Sequence, residues 1–288
     1  MGRVTYLVTG ATGFLGHALL PRLAERGEVV ALHRRASDPP KHRGVRWVPQ
    51  DLSRMREFEL PKRTDVVIHL AQSLRYRDHP QGAVDVFEVN AGATVRLLDH
   101  CRRTGGTRFV LASTGAVYAP GPEPAREEDR PHPPNFYAHS KLWAEEAAMH
   151  YRDEFDVTVL RPFFIYGPGQ QRDRFLPGLV ARILDGETIR LAGDDGIRLN
   201  PVYIDDAVES VLRALELEGS DTLNLAGPDT RSVREIAERA AEALGREPSF
   251  ERAPPQHDLI ASIERLRERV GAPRVFLSEG IARTIAAW

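Results

Sequence analysis

The chain has 288 residues, of which 42% are hydrophobic and 28% charged, and its formal net charge is -2. So weak a net charge supplies no field that recruits nucleic acid or an anionic membrane. The single cysteine excludes an intramolecular disulfide framework and favours a cytoplasmic protein. We expect no membrane helix, because no apolar run approaches ~20 residues. We also expect no leader peptide. A metal site is not expected either, because the usual ligand spacings are missing.

The first predicted elements are a strand, a glycine-rich turn and a helix. A buried strand over residues 4–9 runs directly into Gly10-Ala11-Thr12-Gly13-Phe14-Leu15-Gly16, and a helix with leucines on one face follows. Glycines permit a tight turn and a close approach of the backbone to a pyrophosphate, whose charge is met by N–H groups at the helix N-terminus. This order of elements predicts a dinucleotide site, which a lone glycine triplet would not.

The end of the second predicted strand, residues 28–33, bears on the choice of cofactor. It ends in His33-Arg34-Arg35, without an acidic residue. An NAD site usually carries an acid here for the ribose 2′-hydroxyl, whereas an NADP site carries arginine for the 2′-phosphate. The sequence therefore favours NADP over NAD, since arginine makes charge-assisted hydrogen bonds with phosphate. The alternative is that both arginines belong to a solvated loop.

Four further strands are predicted, with a helical pattern over residues 84–103 before the third of them. They cover residues 45–48, 65–70, 107–112 and 157–160. Their ends deliver Asp51, His69-Leu70-Ala71 and Ser113-Thr114 to the edge where a parallel sheet binds its ligand. Asp51 either accepts a hydrogen bond from the adenine amino group or caps the next helix. This alternation predicts an α/β fold with a doubly wound parallel sheet.

The stretch Tyr137-Ala138-His139-Ser140-Lys141 begins a predicted helix after a proline-rich loop. On a helix, Tyr137 and Lys141 lie on one face, one turn apart. A nearby ammonium lowers the pKa of a phenol from about 10 towards the working pH, so that the tyrosine exchanges a proton with an alcohol or carbonyl oxygen. The pair is typical of carbonyl reduction and alcohol oxidation, although an isolated Tyr-x-x-x-Lys more often belongs to an ordinary amphipathic helix.

Taken in order, these motifs resemble the extended short-chain dehydrogenase/reductases, the NAD(P)-dependent epimerase/dehydratase family. The resemblance covers essentially the whole chain and rests on the glycine turn, His69-Leu70-Ala71, Asn90, Ser113-Thr114 with Val117-Tyr118, Tyr137-x-x-x-Lys141 and Leu160-Arg161-Pro162. It implies a Rossmann-type domain at residues 1–168, with a returning segment at about 201–226, and a smaller C-terminal α/β substrate lobe at residues 169–200 and 227–288. It also implies a homodimer formed through the helices at residues 84–103 and 137–152.

The resemblance also implies a role for each site residue. Tyr137 is expected to be the catalytic acid/base, Lys141 to lower its pKa and hold the nicotinamide ribose, and Thr114 to orient the substrate oxygen. Thr114 is preferred to Ser113 because it precedes Tyr118 by the family's four-residue spacing. The residues expected to bind the cofactor are Gly10, Thr12, Gly13, Phe14, Leu15, Gly16, His33, Arg34, Arg35, Asp51, Leu52, Leu70, Ala71, Gln72, Asn90, Ser113, Tyr137 and Lys141. Substrate contacts are expected from Arg75, Phe164, Arg174 and Arg198.

Departures from the family pattern narrow the predicted reaction. Gly115 and Ala116 stand where the 4,6-dehydratases carry an Asp-Glu pair that eliminates water, so dehydration is disfavoured. Phe164 and Leu199 replace an Asn and a diphosphate-binding Arg of many sugar-nucleotide enzymes, which speaks against a nucleotide diphosphate. Arg198 is one position away, but neighbouring strand residues face opposite sides.

The sequence thus predicts an NADP-preferring oxidoreductase that acts on a carbonyl or alcohol carbon of a sugar or sugar nucleotide. An epimerase is the alternative, because it uses the same residues to oxidise the sugar and to return the hydride to the other face of a transient keto intermediate. A non-catalytic NADP(H)-binding sensor is more remote, since both the tyrosine and the lysine are present.

Overall fold

The computed structural model describes residues 3–34, 39, 42–54 and 60–288, and Arg35 lies outside this part of the chain. The described helices and strands follow in chain order, beginning with β1 (Thr5–Thr9), α1 (Phe14–Arg26), β2 (Glu28–His33), β3 (Val45–Pro49), β4 (Val66–His69), α2 (Ala83–Phe87), α3 (Ala93–Arg103), β5 (Arg108–Ala112), α4 (Phe136–Met149) and β6 (Asp156–Pro162). They continue with β7 (Ile165–Tyr166), α5 (Phe175–Leu184), β8 (Ile189–Ala192), β9 (Arg198–Leu199), β10 (Val202–Tyr203), α6 (Ile204–Ala214), β11 (Asp221–Leu225), β12 (Arg231–Ser232), α7 (Val233–Leu244), β13 (Phe250–Ala253), α8 (Glu264–Arg269) and α9 (Leu277–Ala286).

The chain forms two compact units. The first comprises residues 1–119, 130–161 and 211–223, and the second comprises residues 120–129, 162–210 and 224–288. This division differs from the predicted domains at residues 120–129 and 201–210, and also at residues 162–168 and 224–226, all of which belong to the second unit. Backbone hydrogen bonds explain the first difference, because Ala125 donates to Ile260 and accepts from Ser262. The Asp206 carboxylate explains the second, because it accepts from the N–H groups of Arg274 and Val275.

A seven-stranded sheet forms the centre of the first unit, in the order β11-β6-β5-β4-β1-β2-β3. The pairs from β3 to β6 are parallel, and Thr9 of β1 lies beside His69 of β4. The chain winds outwards from β1 through β2 to β3, and then from β4 through β5 to β6 in the opposite direction. The carboxyl ends of β1 and β4 therefore form the topological switch point at which open α/β sheets bind ligands. The predicted doubly wound parallel sheet is confirmed.

The core of the first unit explains why its strands read as continuous apolar runs. Val67 and Phe109 of the sheet pack with Leu97 and Cys101 of α3 in a cluster that is almost fully buried. Parallel strands covered by helices on both faces need apolar side chains on both faces. Burial raises the pKa of the Cys101 thiol to about 12, as expected for a cysteine that fills a core position and has little nucleophilic character.

The helix predicted over residues 84–103 is interrupted by a wider turn. Between α2 and α3, residues Glu88–Gly92 form one turn of π-helix that contains Asn90. The hydrophobic periodicity gives no sign of this turn, and the backbone angles at both of its ends, Glu88 and Gly92, are helical. Such π turns occur frequently at functional sites.

The second unit contains short strand pairs and helices. Strand β13 pairs with β8 in parallel, and β12 pairs with β9 antiparallel. Helix α7 begins with a capping box, in which the Ser232 hydroxyl accepts from the Glu235 N–H (3.1 Å) and the Glu235 carboxylate accepts from the Ser232 N–H (2.7 Å). A cap of this kind stabilises a helix by about 1 kcal/mol.

Within the ranges given above, the helices include none that combines the length and the apolar character needed to cross a membrane.

Candidate active site

The turn between β1 and α1 is a cradle that only glycine can form. Gly10 has a φ of +66°, and a Cβ there would lie 2.6 Å from the backbone nitrogen of Ala71. A Cβ on Gly16 would lie 2.3 Å from the carbonyl oxygen of Gly10. The backbone of this turn is therefore pressed against the end of β4 and against the start of α1. No side chain can occupy these positions without moving the backbone.

The N-terminus of α1 begins without a side-chain cap from its N-cap residue. This residue is Gly13, and no acidic residue lies in the first turn. The first N–H groups of the helix and the helix dipole favour an anion. Together with the glycine cradle at the switch point, they fit the pyrophosphate of a dinucleotide.

The residues expected at the adenosine end lie on the ends of β2 and β3. His33 Nδ1 donates to the carbonyl oxygen of Arg34 (3.0 Å), and Arg34 is exposed. One oxygen of Asp51 accepts from the N–H (3.0 Å) and the hydroxyl (2.8 Å) of Ser53, so Asp51 caps the short 3₁₀ turn that contains Leu52. The capping alternative for Asp51 is thus observed, and its contact with adenine stays a prediction.

Tyr137 lies in the first turn of α4. The Asn135 side chain begins this helix by accepting from the N–H of Ala138 (3.0 Å). The Tyr137 hydroxyl donates to Oε1 of Gln72 (2.9 Å), and its ring lies 5.3 Å from the ring of Tyr76. The structure therefore brings Tyr137 together with the loop that follows β4, where Gln72 was expected to contact the cofactor.

Lys141 lies one turn further along α4 and is only 2% exposed. Its ammonium donates to the carbonyl oxygens of Ala112 (2.8 Å) and Ala71 (3.4 Å). These oxygens lie at the end of β5 and just after β4, so the side chain connects α4 to the carboxyl edge of the sheet. Burial lowers the pKa of Lys141 to about 8, and the negative charge of Glu145 opposes this change.

Thr114 lies two residues beyond the end of β5 and is half-buried. Its Oγ1 accepts from the N–H of Ala116 (3.2 Å) and caps the 3₁₀ turn Gly115–Val117. A threonine hydroxyl that accepts in this way keeps its own proton for donation. The geometry is therefore compatible with the expected hydrogen bond to a substrate oxygen.

Asn90 connects the π turn to α4 through a chain of hydrogen bonds. Its Oδ1 accepts from the N–H of Ser73 (2.9 Å), and its Nδ2 donates to Oγ of Ser140 (2.9 Å). Ser140 in turn donates to the carbonyl oxygen of Tyr137 (2.7 Å). The side chain of Asn90 thus holds the first turn of α4, while its contact with the cofactor stays a prediction.

His69 is a buried neutral group beneath the switch point. Its Nδ1 lies 2.5 Å from Oγ1 of Thr9, which also accepts from the N–H of Ala71 (3.3 Å). Burial and the nearby charge of Lys141 lower the pKa of His69 to about 3. The imidazole therefore stays uncharged at neutral pH, contacts Thr9 and does not repel the ammonium of Lys141.

Sequence reasoning missed the partners of Ser113. The Ser113 hydroxyl donates to the carboxylate of Glu145, which forms a buried ion pair with Arg161, and Arg161 also contacts the hydroxyl of Tyr118. A signal was present, because Glu145 follows Lys141 by one helical turn and Arg161 is a charge at the end of an apolar strand. The predicted contact of Ser113 with the cofactor stays a prediction.

The candidate substrate residues are described within their own units. In the first unit, Arg75 forms an exposed ion pair with Asp78 (3.3 Å). In the second unit, Nε of Arg198 donates to Asp258 (2.8 Å), and Leu199 is fully buried. Phe164 has a φ of +47°, and its ring lies 5.6 Å from that of Phe175. Arg174 lies 3.7 Å from the carboxylate of Asp173.

Known proteins resemble the chain along nearly all of its length. The model of the NAD dependent epimerase/dehydratase family matches residues 6–226. A dTDP-4-dehydro-6-deoxy-D-allose reductase of a Streptomyces species is 31% identical over 84% of this chain and 82% of its own length, and a UDP-glucose 4-epimerase of Mycolicibacterium smegmatis is 32% identical over 97% and 96%. A structure of MoeE5 in complex with UDP-glucuronic acid and NAD has a TM-score of 0.84, with 29% identity and 98% of each chain covered.

Proposed function

Because the chain belongs to the NAD dependent epimerase/dehydratase family, we propose that it is an NAD(P)-dependent oxidoreductase acting on a carbonyl or alcohol carbon of a sugar or sugar nucleotide. The single observation that carries the proposal is the fixed pair on α4. Tyr137 presents its hydroxyl at the loop after β4, while Lys141 is held by the carbonyl oxygens of Ala71 and Ala112. This pair lies at the same sheet edge as the glycine cradle.

The chain's own residues supply proton transfer and orientation. Tyr137 gives a proton to the substrate oxygen in reduction and takes it back in oxidation. The ammonium of Lys141 favours the phenolate form of this tyrosine, and the hydroxyl of Thr114 orients the substrate oxygen. Gly115 and Ala116 carry no group that can move a proton, so elimination of water is not part of the proposal.

The glycine cradle is suited to the cofactor because Gly10 and Gly16 keep the turn tight, and a Cβ at either position would force the backbone away from the place that we expect the pyrophosphate to occupy. We expect the pyrophosphate at the N-terminus of α1, the adenosine near His33 and Asp51, and the nicotinamide ribose near Lys141. When bound, the nicotinamide donates or accepts the hydride at the substrate carbon.

We further propose that NADP is preferred to NAD. The support is the absence of an acidic residue directly after β2 and the exposed position of Arg34. The MoeE5 structure contains NAD, so the preference needs its own test. Replacing Arg34 by glutamate is expected to weaken NADPH binding at least tenfold while changing NADH binding little, because only NADPH carries the 2′-phosphate.

The epimerase is a second candidate because the UDP-glucose 4-epimerase relative covers almost the whole chain. An epimerase must keep its cofactor through the cycle, whereas a reductase exchanges it. Mass spectrometry of nucleotide released from the denatured protein therefore separates the two. Nearly one cofactor per chain favours the epimerase, and an empty protein that then binds NADPH favours the reductase.

The substrate is proposed to be a sugar nucleotide, as in the two relatives. Its diphosphate would meet a surface without the arginine that many sugar-nucleotide enzymes carry at the position of Leu199. Leu199 is fully buried, and the guanidinium of Arg198 is already bound to Asp258. A panel of sugar nucleotides and of free keto sugars, assayed with NADPH and NADH, tests whether the diphosphate is needed for activity.

A homodimer is proposed from an apolar surface of the first unit. Val84 and Phe87 of α2 are 76% and 45% exposed, and Trp143 of α4 is 38% exposed. The rings of Phe87 and Trp143 lie 5.9 Å apart, so the two helices share one apolar face. Analytical ultracentrifugation of the wild type and of W143E tests this face, since a buried charge is expected to release monomers. The cytoplasmic location stays a prediction.

Tyr137→Phe tests the proposed chemistry directly. The variant keeps the ring and loses the proton donor, so turnover is expected to fall while the affinity for the cofactor is retained. Tyr151→Phe is the matched control, because Tyr151 stacks on Phe155 just beyond α4 and takes no part in the site. Full turnover in Tyr137→Phe contradicts the assignment.

A further inference from the structure

Four buried polar side chains lie between α4 and the ends of β5 and β6. Ser113, Tyr118, Glu145 and Arg161 are each at most 6% exposed. Nε of Arg161 donates to both oxygens of Glu145 (3.1 Å each), and a terminal nitrogen donates to Oε2 (2.6 Å). The Ser113 hydroxyl donates to Oε1, and the other terminal nitrogen of Arg161 donates to the hydroxyl of Tyr118. The carboxylate of Glu145 is therefore fully engaged inside the protein.

Stability alone does not account for this cluster. Removing two charges from water is costly, and replacing a buried ion pair by apolar residues of similar size is often neutral or stabilising. A buried pair with complete hydrogen bonding instead fixes one relative arrangement of the elements that carry it. Here those elements are the segment after β5, the helix α4 and the strand β6.

The cluster touches both parts of the candidate active site. Ser113 directly precedes Thr114, and Tyr118 follows it by four residues. Glu145 follows Lys141 by four residues and Tyr137 by eight, so all three lie on one face of α4, one turn apart. A change in the position of Glu145 would therefore move Thr114 relative to the tyrosine and lysine.

Glu145 is the negatively charged neighbour of Lys141, and the other groups around the ammonium are neutral or bind Glu145. From β4, His69 faces the ammonium and is neutral, because burial and Lys141 lower its pKa. The ends of β4 and β5 contribute the carbonyl oxygens of Ala71 and Ala112. Arg161 of β6 forms the ion pair with Glu145, and it also donates to the hydroxyl of Tyr118. The charge of Glu145 raises the pKa of Lys141 against the larger effect of burial.

We propose that Glu145 is a positioning residue of the active site, which holds the segment carrying Thr114 against α4 and supports the positive charge of Lys141. The inference rests on the proposed function, because it gives Glu145 a part in preparing Tyr137 for proton transfer. Arg161 and Ser113 hold Glu145 in place and touch neither substrate nor cofactor in this account.

Spectroscopic titration of the Tyr137 phenol tests the proposal without substrate or cofactor. The phenolate absorbance of each protein is recorded as the pH is raised, and the titration of the same protein carrying Tyr137→Phe is subtracted. In E145Q, Lys141 loses its proton at a lower pH and the phenol loses its cationic neighbour. The phenol is therefore expected to ionise about one pH unit higher than in the wild type.

Two further variants separate this role from a structural one. E145Q leaves Arg161 buried without its counterion and is expected to be much less stable, whereas E145Q/R161M carries neither charge and is expected to regain most of the lost stability. The proposal predicts that the titration of the double variant stays shifted, and this variant carries the test if E145Q fails to fold. E145D keeps the charge and is expected to titrate close to the wild type.

Two outcomes overturn the proposal. One is a folded E145Q/R161M protein whose phenol titrates as in the wild type, and the other is an E145D protein whose titration shifts as far as that of E145Q. Both are distinguishable from failure of the proposed function. Absence of oxidoreductase activity leaves the phenol titration intact as a measurement, and activity together with an unshifted titration rejects only the role of Glu145.

Discussion

The two compact units hold their candidate functional residues in different ways. In the first unit, Lys141 and Asn90 are buried and bound to backbone carbonyls, an amide N–H or a neighbouring hydroxyl. In the second unit, Arg198 is exposed and paired with one carboxylate, and Phe164 holds an unusual backbone conformation. The first arrangement fixes reacting groups, whereas the second can vary without disturbing a core. We therefore propose that the chemistry depends on the fixed groups at the sheet edge of the first unit, and that the choice of substrate does not.

Tyr137→Phe is expected to have the largest effect on activity, and to remove the chemistry of the first unit without changing its fold. Loss of the acid/base group should reduce kcat by about 10²–10⁴-fold. Thermal unfolding and cofactor affinity should stay close to those of the wild type. Steady-state kinetics with the responsive substrate of the panel measures the effect, with Tyr151→Phe as the control. A loss of affinity for the cofactor equal to the loss of kcat would mean that the tyrosine serves binding.

Gly16→Ala tests whether the cradle is as tight as its backbone contacts indicate. The new Cβ would lie 2.3 Å from the carbonyl oxygen of Gly10, so the turn must open. We expect a loss of about 1–3 kcal/mol in the free energy of unfolding, typical of overpacking, and at least tenfold weaker binding of NADPH. Gly121→Ala is the control, because a Cβ at Gly121 meets no atom within 4 Å. Equal binding by the two variants would argue against the cradle.

His69→Gln sharpens the comparison by testing how deeply the first unit's polar groups are buried. The folded-state pKa of His69 is lowered from 6.5 to about 3, so its stabilising contribution is present above pH 6.5 and is lost as the pH falls towards 3. By pH 5 this loss should reach about 2 kcal/mol in the wild type and be missing from the variant. Urea unfolding at several pH values measures both slopes, and equal slopes would contradict a buried neutral histidine.

Phe164→Asn is expected to have the smallest effect on stability and to test the second unit. Asparagine tolerates the left-handed φ of +47° better than phenylalanine, which offsets the lost contact with Phe175. The free energy of unfolding should change by less than about 1 kcal/mol. If Phe164 contacts substrate, KM should change severalfold while kcat changes little. A large fall in kcat with KM unchanged would place Phe164 in the chemistry.

The same contrast explains what the sequence could predict. Glycines at Gly10 and Gly16, the apolar strands and the Tyr137 to Lys141 spacing are local patterns with one structural meaning, and the structure contains the sheet, the turn and the helix they indicate. The π turn around Asn90 follows no pattern of hydrophobic residues. The bond between Ser113 and Glu145 joins residues 32 positions apart, so only the packing of α4 on the sheet reveals it.

Substrate residues were harder to predict for a physical reason. An arginine in a sequence indicates a positive charge, but not whether a carboxylate of the same chain already binds it. Arg198 has such a partner in Asp258, which is 60 residues away in sequence. Leu199 is buried in a strand that pairs with Arg231. Its neighbour in the sequence, Arg198, is the residue of this strand that faces outwards.

A single-turnover measurement of nicotinamide absorbance tests the central claim most directly. Excess wild-type protein loaded with NADPH, or with NAD, is mixed with each member of the sugar nucleotide panel, and Tyr137→Phe is treated in the same way. We expect an absorbance change with at least one substrate, lasting for a reductase and transient for an epimerase, and slowed at least about a hundredfold in the variant. Cofactor binding without any absorbance change across the panel, or equal rates in the two proteins, would contradict the account.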